Sequence, residues 1–187
     1  MRHMDATRRR DASEFLLAAG AEAIPHPGGS LFAHLRRTAA KLATWGGSPA
    51  LQLAGLCHAL YGTDGFPRTL LDPSSREQAV KLLGEGVEEI VYRYGSCDRD
   101  YTYPRLAGDA AVARFRDRFT GHVSTPSVAA LRDFVELTFA NELDIAQQNP
   151  DFLKEHGHWL TELFRSLEQH ASDAARAEFR AVCSDFF

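Results

Sequence analysis

Apolar residues recur along the chain at helical spacing, in separate runs that end at glycine, proline or capping residues. One run covers residues 11–20, and a second begins after Ser30, an N-cap residue, and continues to residue 45. A third begins at Ser48, with proline in the first helical position, and is expected to stop at Gly62. Alternating apolar and polar runs, which are typical of half-buried strands, are nearly absent. The pattern therefore predicts an all-α protein.

The rest of the chain continues the helical pattern. The predicted elements are helices at 73–84 and 84–95, a polar loop at 96–109, a long helix from 124 or 125 to 149, and two helices in 152–187 that are split near His170. A chain of 187 residues is long enough for one domain with a substantial core and too short for two ordinary ones. We therefore expect a single domain of about seven or eight helices over residues 11–187, after a disordered segment at residues 1–10.

Charge and hydropathy exclude two classes of partner. The net charge is −4 and the only arginine cluster is short, at residues 8–10, so no surface for nucleic acid is indicated. No apolar run reaches the roughly 18 residues that are needed to span a bilayer. The first residues lack the apolar stretch of a secretory signal, which favours the cytoplasm as the location.

The cysteines do not point to a functional site. Cys57, Cys97 and Cys183 are odd in number and far apart, and no CxxC pair is present. This spacing argues against a disulfide framework and against a zinc site made of thiolates. Cys57 is the neighbour of His58, but adjacent residues on a helix do not face each other, so a nucleophilic Cys-His pair is not indicated. We expect three reduced thiols.

Three polar side chains are predicted on buried helix faces. His58 shares a face with the small and apolar residues before it, His34 lies beside the apolar face of its helix, and Asp144 shares a face with Leu137 and Ala140. Burial of a carboxylate costs several kcal/mol, roughly, unless it is paired or bound to a metal. If the three helices pack around one core, two imidazoles and one carboxylate would face the same space. That set suits zinc, manganese or iron.

The spacing of this trio is not specific, and a second interpretation stays open. An all-α protein with eight histidines contains some such set of residues by chance. The three side chains would then be polar core residues, bonded to the backbone or to one another.

Four stretches resemble a known superfamily. They are HPGGSLFAHL at 26–35, CHALYGTDGF at 57–66, EEIVYRYGSCDR at 88–99 and FANELDIAQQ at 139–148. Residues 34–66, which contain the second stretch, followed far downstream by FANELDIAQQ, resemble the HD-domain superfamily, in particular the hydrolase domains of the ppGpp synthetase/hydrolase type. The first three stretches most closely resemble an uncharacterised HD-related family. The resemblance implies an HD-like helical bundle over about residues 20–148. It also implies a metal held by His34, by His58 as the histidine of the His-Asp pair, and by Asp144 as the late aspartate.

One position departs from the HD pattern. Ala59 stands where the family has the aspartate of the pair, and a methyl group can neither bind a metal nor bridge two of them. The resemblance therefore implies a site for one divalent ion, iron, manganese or zinc, or no metal at all. Two histidines and one carboxylate are also the ligand set of non-haem iron oxygenases.

Other polar residues are predicted near the same ends of these helices. The candidate acids and bases are His26, Tyr61 and Asp64. The candidate ligands for an anionic substrate are Arg68, Arg76 and Arg99. The alternative is a turn stabilised by the aspartate, with arginines that are simply solvated. Glu88 and Glu89 precede Arg93 on one helix: one of them would point inward, as a general base, or form an exposed ion pair with that arginine.

These residues support three functions. The first is a small metal-dependent enzyme that hydrolyses a phosphorylated or otherwise anionic metabolite. The second is a non-haem iron oxygenase, and the third is a metal-free enzyme or small-molecule-binding protein derived from an HD fold. A purely structural role is the least favoured, because three inward polar side chains would be costly in a scaffold. The expected partner is a small molecule, and a homodimer is left open.

Overall fold

The structure is a computed structural model that describes residues 2–66 and 68–187. Within these ranges it contains nine α-helices, several short 3-10 turns and two antiparallel sheets with two residues in each strand. The prediction of an all-α protein is confirmed. The helix beyond the expected number is a four-residue one, Arg99–Thr102, inside the segment that was expected to be a loop. The HD-like topology stays a prediction.

The internal contacts divide the chain into two compact units, residues 1–96 and 97–187. The first unit contains α1 (Arg2–Ala18), β1 (Pro25–His26), β2 (Gly29–Ser30), α2 (Leu31–Thr44), α3 (Pro49–Cys57), α4 (Arg76–Leu83) and α5 (Glu85–Gly95). The second contains α6 (Arg99–Thr102), β3 (Phe115–Arg116), β4 (Val123–Ser124), α7 (Val128–Gln148), α8 (Pro150–Leu167) and α9 (Asp173–Val182). The assignment of residues 11–187 to a single domain stays a prediction.

Helix α1 begins well before the predicted start at residue 11. Residues 2–10, which were expected to be disordered, are helical, and Met1 lies outside the described residues. The arginines and the single alanine of this segment favour helix, and the helix contacts α3 and α4. Arg8 lies against Gly84, where an added Cβ would be 3.2 Å from its Nη1 atom. Tertiary packing thus extends a helix whose first turns have no apolar pattern of their own.

Two predicted helix starts in the first unit, those of α2 and α3, are confirmed by their caps. The Ser30 hydroxyl accepts a hydrogen bond from the Ala33 amide at 3.1 Å, and the Ser48 hydroxyl accepts one from the Leu51 amide at the same distance. The predicted end of α3 is wrong, because the helix stops at Cys57 rather than at Gly62. Residues 58–61 form tighter turns instead, in which amides bond to carbonyls three residues back.

Helices α2 and α3 approach closely through one glycine. A Cβ added to Gly55 would lie 2.5 Å from Leu42 Cδ1 and 3.4 Å from Ala39 Cα, so no larger residue fits without movement. This contact agrees with the predicted face of small residues in front of His58. It brings the end of α3 against α2, and that approach positions the candidate site.

In the second unit, the long helix α7 begins later than predicted. Its N-cap is Ser127, whose hydroxyl accepts from the Ala130 amide at 3.2 Å, rather than residue 124 or 125. Ser124 instead pairs with Phe115 in the sheet of β3 and β4, which removes it from the helix. The predicted end at Asn149 and the split of the last two helices near His170 are confirmed.

An aromatic cluster forms the core of the second unit. The ring of Phe164 lies 4.3 Å from that of Phe139 and 4.9 Å from that of Phe179, measured between centroids. All three side chains are fully buried. They come from α8, α7 and α9 in that order, so one cluster joins the three long helices of this unit.

The state of the cysteines and the search for membrane-spanning helices can be compared with the sequence analysis. All three cysteines are buried and none of them forms a disulfide. No helix in the described ranges combines the length and the apolar character that a membrane span requires.

Candidate functional site

Two buried histidines meet in the first unit. His34 lies on α2 and is 1% exposed, and His58 follows the last residue of α3 and is 2% exposed. Their Nε2 atoms are 3.3 Å apart, and the two rings are nearly perpendicular, at 82°. The residues are separated by 24 positions in the sequence, so the close packing of α2 on α3 is what brings them together.

A backbone carbonyl fixes the proton of His58. The Nδ1 atom lies 2.8 Å from the Gly55 carbonyl oxygen, which can only accept, so Nδ1 carries the hydrogen and donates. In the neutral ring the Nε2 atom is then an acceptor, and its lone pair faces His34.

This arrangement fits two ligands of one metal ion. Two nitrogens bound to a tetrahedral zinc at about 2.0–2.1 Å lie about 3.3–3.4 Å from each other. The observed separation is 3.3 Å, and the bond from His58 Nδ1 to a carbonyl is the outer contact typical of a metal-binding histidine. The same separation also suits a hydrogen bond between two neutral rings, with His34 Nε2 as the donor.

The third predicted ligand belongs to the other unit. Asp144 lies on α7 and is 2% exposed, as expected for the inward face of that helix. Its role as a metal ligand stays a prediction. Within either unit, the described residues contain no group of three His, Cys, Asp or Glu side chains arranged around a common point. Ala59 is buried and provides no ligand atom.

His26 stacks on the histidine pair. Its ring lies 4.1 Å from that of His34, with 25° between the planes, and the edge of Phe66 approaches it at 5.6 Å. His26 lies in the short hairpin of β1 and β2. Arg37 on α2 donates hydrogen bonds to the carbonyls of Pro27 and Gly28, which form the turn of this hairpin. The guanidinium thus fixes the hairpin on α2, and His26 is the only one of these three histidines that is not fully buried.

Tyr94, which the sequence analysis did not select, covers another side of the pair. Its ring meets that of His58 at 5.3 Å and 87°, and its side chain is 2% exposed. The Tyr94 ring thus covers one face of the site at His58. No local signal marks Tyr94 in the sequence, because aromatic residues on a helix are most often core residues.

Tyr61 is bonded to a buried carboxylate. Its hydroxyl donates to Glu88 Oε1 at 2.8 Å, and Arg76 donates to both oxygens of the same carboxylate, at 2.8 and 2.6 Å. The guanidinium also lies over the ring of Tyr92, 3.7 Å from its centroid. Glu88 is 2% exposed, so the carboxylate is buried with its charge compensated.

Burial raises the pKa of two side chains in this part of the first unit, Tyr61 and Cys57. Burial, followed by the hydrogen bond to Glu88, raises the pKa of the Tyr61 hydroxyl. Tyr61 therefore keeps its proton near neutral pH, and its hydroxyl is already engaged as a donor, so its geometry favours holding the turn over proton transfer. Burial raises the pKa of the Cys57 thiol from 9.0 to about 12, which agrees with the exclusion of Cys57 as a nucleophile.

The three candidate arginines have different surroundings. Arg76 is committed to Glu88, and Arg99 forms an ion pair with Glu142 on α7 at 3.1 Å in the second unit. Arg68 is exposed, and its carbonyl lies beside Gly62, at 3.3 Å from where a Cβ of that glycine would be. Of the three, Arg68 has the side chain most available for an anion.

The remaining candidates are a turn residue and two glutamates. Asp64 is half-buried in the turn closed by hydrogen bonds between Thr63 and Phe66, and its catalytic role stays a prediction. The sequence analysis left two interpretations for Glu88 and Glu89, an inward side chain or an exposed ion pair, and each applies to one of them. Glu88 points inward, while Glu89 is exposed and pairs with Arg93 at 2.8 Å. The bonds from Arg76 and Tyr61 occupy both oxygens of Glu88, which argues against its use as a general base.

The chain matches one protein family over part of its length. Residues 15–99 match the family described as Domain of unknown function (DUF6817), which is less than half of the 187 residues. This match covers most of the first unit, including the three histidines and the Glu88 cluster. A search of curated proteins returned no match, and neither did a search of solved structures.

Proposed function

We propose that this chain is a small metal-dependent enzyme that hydrolyses a phosphorylated or otherwise anionic metabolite at an HD-like site. His34 and His58 are the proposed metal ligands, and Asp144 is the proposed third. The observation that carries the proposal is the 3.3 Å separation of the two Nε2 atoms, with His58 Nδ1 held by a carbonyl. Such a pair presents two lone pairs at the spacing that one divalent ion needs.

Each residue has an assigned task in this proposal. His34 and His58 hold the ion, which would lower the pKa of a bound water and polarise a phosphoryl oxygen. Arg68 is exposed beside the turn that follows His58, and it binds the anionic group of the substrate. His26, which stacks on His34 and is partly open to solvent, is assigned to proton transfer at its imidazole.

The metal content of the purified protein tests the proposal. The protein is prepared without a polyhistidine tag or chelator, and metals are measured by mass spectrometry in the wild type and in His58→Ala. We expect about one equivalent in the wild type and a loss of it in the variant. The matched control is His122→Ala, which removes an exposed imidazole from the turn of a hairpin and should keep the metal.

Activity distinguishes the hydrolase from the oxygenase. Zinc or manganese, with release of phosphate from phosphorylated metabolites, would support hydrolysis. Iron, with consumption of oxygen in the presence of substrate, would support the oxygenase, for which two histidines and a carboxylate also suffice.

A metal-free function is the second candidate, and the same distance favours it. At 3.3 Å the two imidazoles also suit a direct hydrogen bond, and a buried pair of this kind would bind a small molecule or transfer protons without a metal. Absence of metal from the wild type, also after incubation with zinc, manganese or iron(II), would overturn the metal-dependent proposal and leave this one.

A further inference from the structure

Glu88 is a buried carboxylate that the proposed chemistry does not use. It is 2% exposed and accepts three hydrogen bonds, one from Tyr61 and two from Arg76. Burying an ionised carboxylate is costly, and a half-exposed arginine at 43% is needed to compensate it. A hydrophobic side chain would pack the same space at lower cost, so the hydrogen bonds themselves call for an explanation.

Helix α5 contacts the turn that carries His58 at three places. Glu88 accepts from the Tyr61 hydroxyl, the Tyr94 ring meets the His58 ring, and Gly95 lies against both Tyr61 and Gly62. A Cβ at Gly95 would be 3.1 Å from Tyr61 Cβ and 3.0 Å from the Gly62 carbonyl oxygen. The turn at 58–62 lies beyond the end of α3 and has backbone bonds to carbonyls three residues back and two bonds from the Leu70 and Leu71 amides to the Leu60 carbonyl. The contacts with α5 are side-chain contacts that add to them.

We propose that Glu88 is a positioning residue, whose carboxylate holds Tyr61 and thereby fixes the turn that aims His58 Nε2 at His34. The inference rests on the proposed function only in taking His58 as a working residue of the site. Arg76 in turn orients the carboxylate, because its two parallel donors fit the two oxygens in one plane. The ring of Tyr92 beneath the guanidinium keeps Arg76 in that orientation.

The charge of Glu88 matters as well as its size. In Glu88→Gln, one oxygen can still accept from Tyr61, but the amide nitrogen then faces a donor of Arg76. Two donors cannot bond to each other, so the side chain must rotate or Arg76 must leave. Tyr61→Phe removes the hydroxyl from the other end of the same contact and keeps the ring against Gly95.

The experiment compares Glu88→Gln and Tyr61→Phe with Glu89→Gln in the full chain. Glu89 is the neighbouring residue on α5, but it is exposed and paired with Arg93, so it controls for loss of a negative charge on that helix. Exchange of the His58 Nδ1 proton with water is measured by nitrogen-15 NMR of the metal-free protein. The dissociation constant for zinc is then measured by competition with a chelator.

We expect both Glu88→Gln and Tyr61→Phe to accelerate exchange of the His58 ring proton, while backbone amides of the α7–α9 core exchange as in the wild type. We also expect both to raise the zinc dissociation constant by about ten-fold or more, with the Glu89→Gln constant within about two-fold of the wild-type value. Ring-proton exchange within about two-fold of wild type in both variants would overturn the proposal, as would equal acceleration throughout the core.

The two readouts separate this inference from the proposed function. A wild type that binds neither zinc, manganese nor iron(II) contradicts the metal-dependent function, and the exchange rate of the His58 ring proton still decides whether Glu88 positions it. Zinc binding that is normal in the wild type and in both variants, with unchanged ring exchange, keeps the function and rejects the positioning role.

Discussion

The two units bury polar side chains for different reasons. In residues 97–187, Glu136 on α7 accepts from the amide and hydroxyl of Ser172 and so anchors the N-cap of α9, and Glu142 pairs with Arg99. In residues 1–96, two fully buried imidazoles face each other with their Nε2 atoms 3.3 Å apart. The polar groups of the second unit cap a helix and form an ion pair, whereas the histidine pair lies where α2 meets the end of α3.

The comparison shows how to weigh a buried polar residue. Glu136 and Glu142 have partners that account for their burial by helix capping and ion pairing. His34 and His58 instead bring two imidazole nitrogens to within 3.3 Å of each other, beside the close contact of Gly55 with α2. A buried pair of imidazoles is a better candidate for chemistry than a carboxylate that caps a helix or pairs with an arginine.

The largest effect on stability is expected in the aromatic core of the second unit. Phe164→Ala should lower the free energy of unfolding by about 3–5 kcal/mol, because it leaves a cavity between Phe139 and Phe179. Chemical denaturation measures this loss of stability, and Trp159→Ala, at an exposed position, is the control. Metal binding by the folded variant should be unchanged. A loss of metal with an intact fold would break the distinction between the two units.

Substitution of the candidate ligands is expected to weaken metal binding and to leave the fold intact, the opposite of the result for Phe164→Ala. If the proposed function holds, His58→Ala and Asp144→Ala should each weaken metal binding by at least about 100-fold, because each removes a ligand that the proposal assigns, while helical circular dichroism stays intact. Metal titration of the two variants beside the wild type measures the loss. Full retention of binding by both variants would reject the site, and retention by Asp144→Ala alone would restrict it to the first unit.

A smaller loss is expected at the N-cap of α9. Glu136→Ala should lower the free energy of unfolding by about 1–3 kcal/mol, because the amide and hydroxyl of Ser172 lose their acceptor. Denaturation curves compared with those of Glu155→Ala, an exposed glutamate, give the difference. A change no larger than that of the control would show that this carboxylate is not structural.

The smallest effect is a dependence on pH in the first unit. The pKa of the Cys57 thiol is raised from 9.0 to about 12, so well below pH 9 the thiol is protonated in both states and has no effect on the pH dependence of stability. Between pH 9 and 12 the unfolded chain loses the proton first, so stability falls with a slope of at most about 1.4 kcal/mol per pH unit. The difference in stability between wild type and Cys57→Ala should therefore shrink from pH 8 to 10.5, and a constant difference would contradict the burial of the thiol.

Local signals predicted many elements but not their ends or their contacts. Ser30 and Ser48 were recognised as N-caps because a cap and its helix lie within four residues of each other. The end of α3 was misplaced because Gly62 is a strong stop signal. The helix ends earlier, at Cys57, and the turn that follows it packs against Gly95 of α5. Glu88 and Glu89 look equivalent in sequence, and only the position of Arg76 on another helix separates them.

The sequence by itself determined the all-α class, the starts of α2 and α3 and the burial of His34, His58 and Asp144, since these follow from periodicity and caps within a few residues. Only the tertiary structure decided that His34 and His58 meet and that His26 stacks on them. Those contacts depend on how closely α2 and α3 pack and on where a hairpin is fixed. Such distances are set by side chains far apart in the chain, and no local pattern records them.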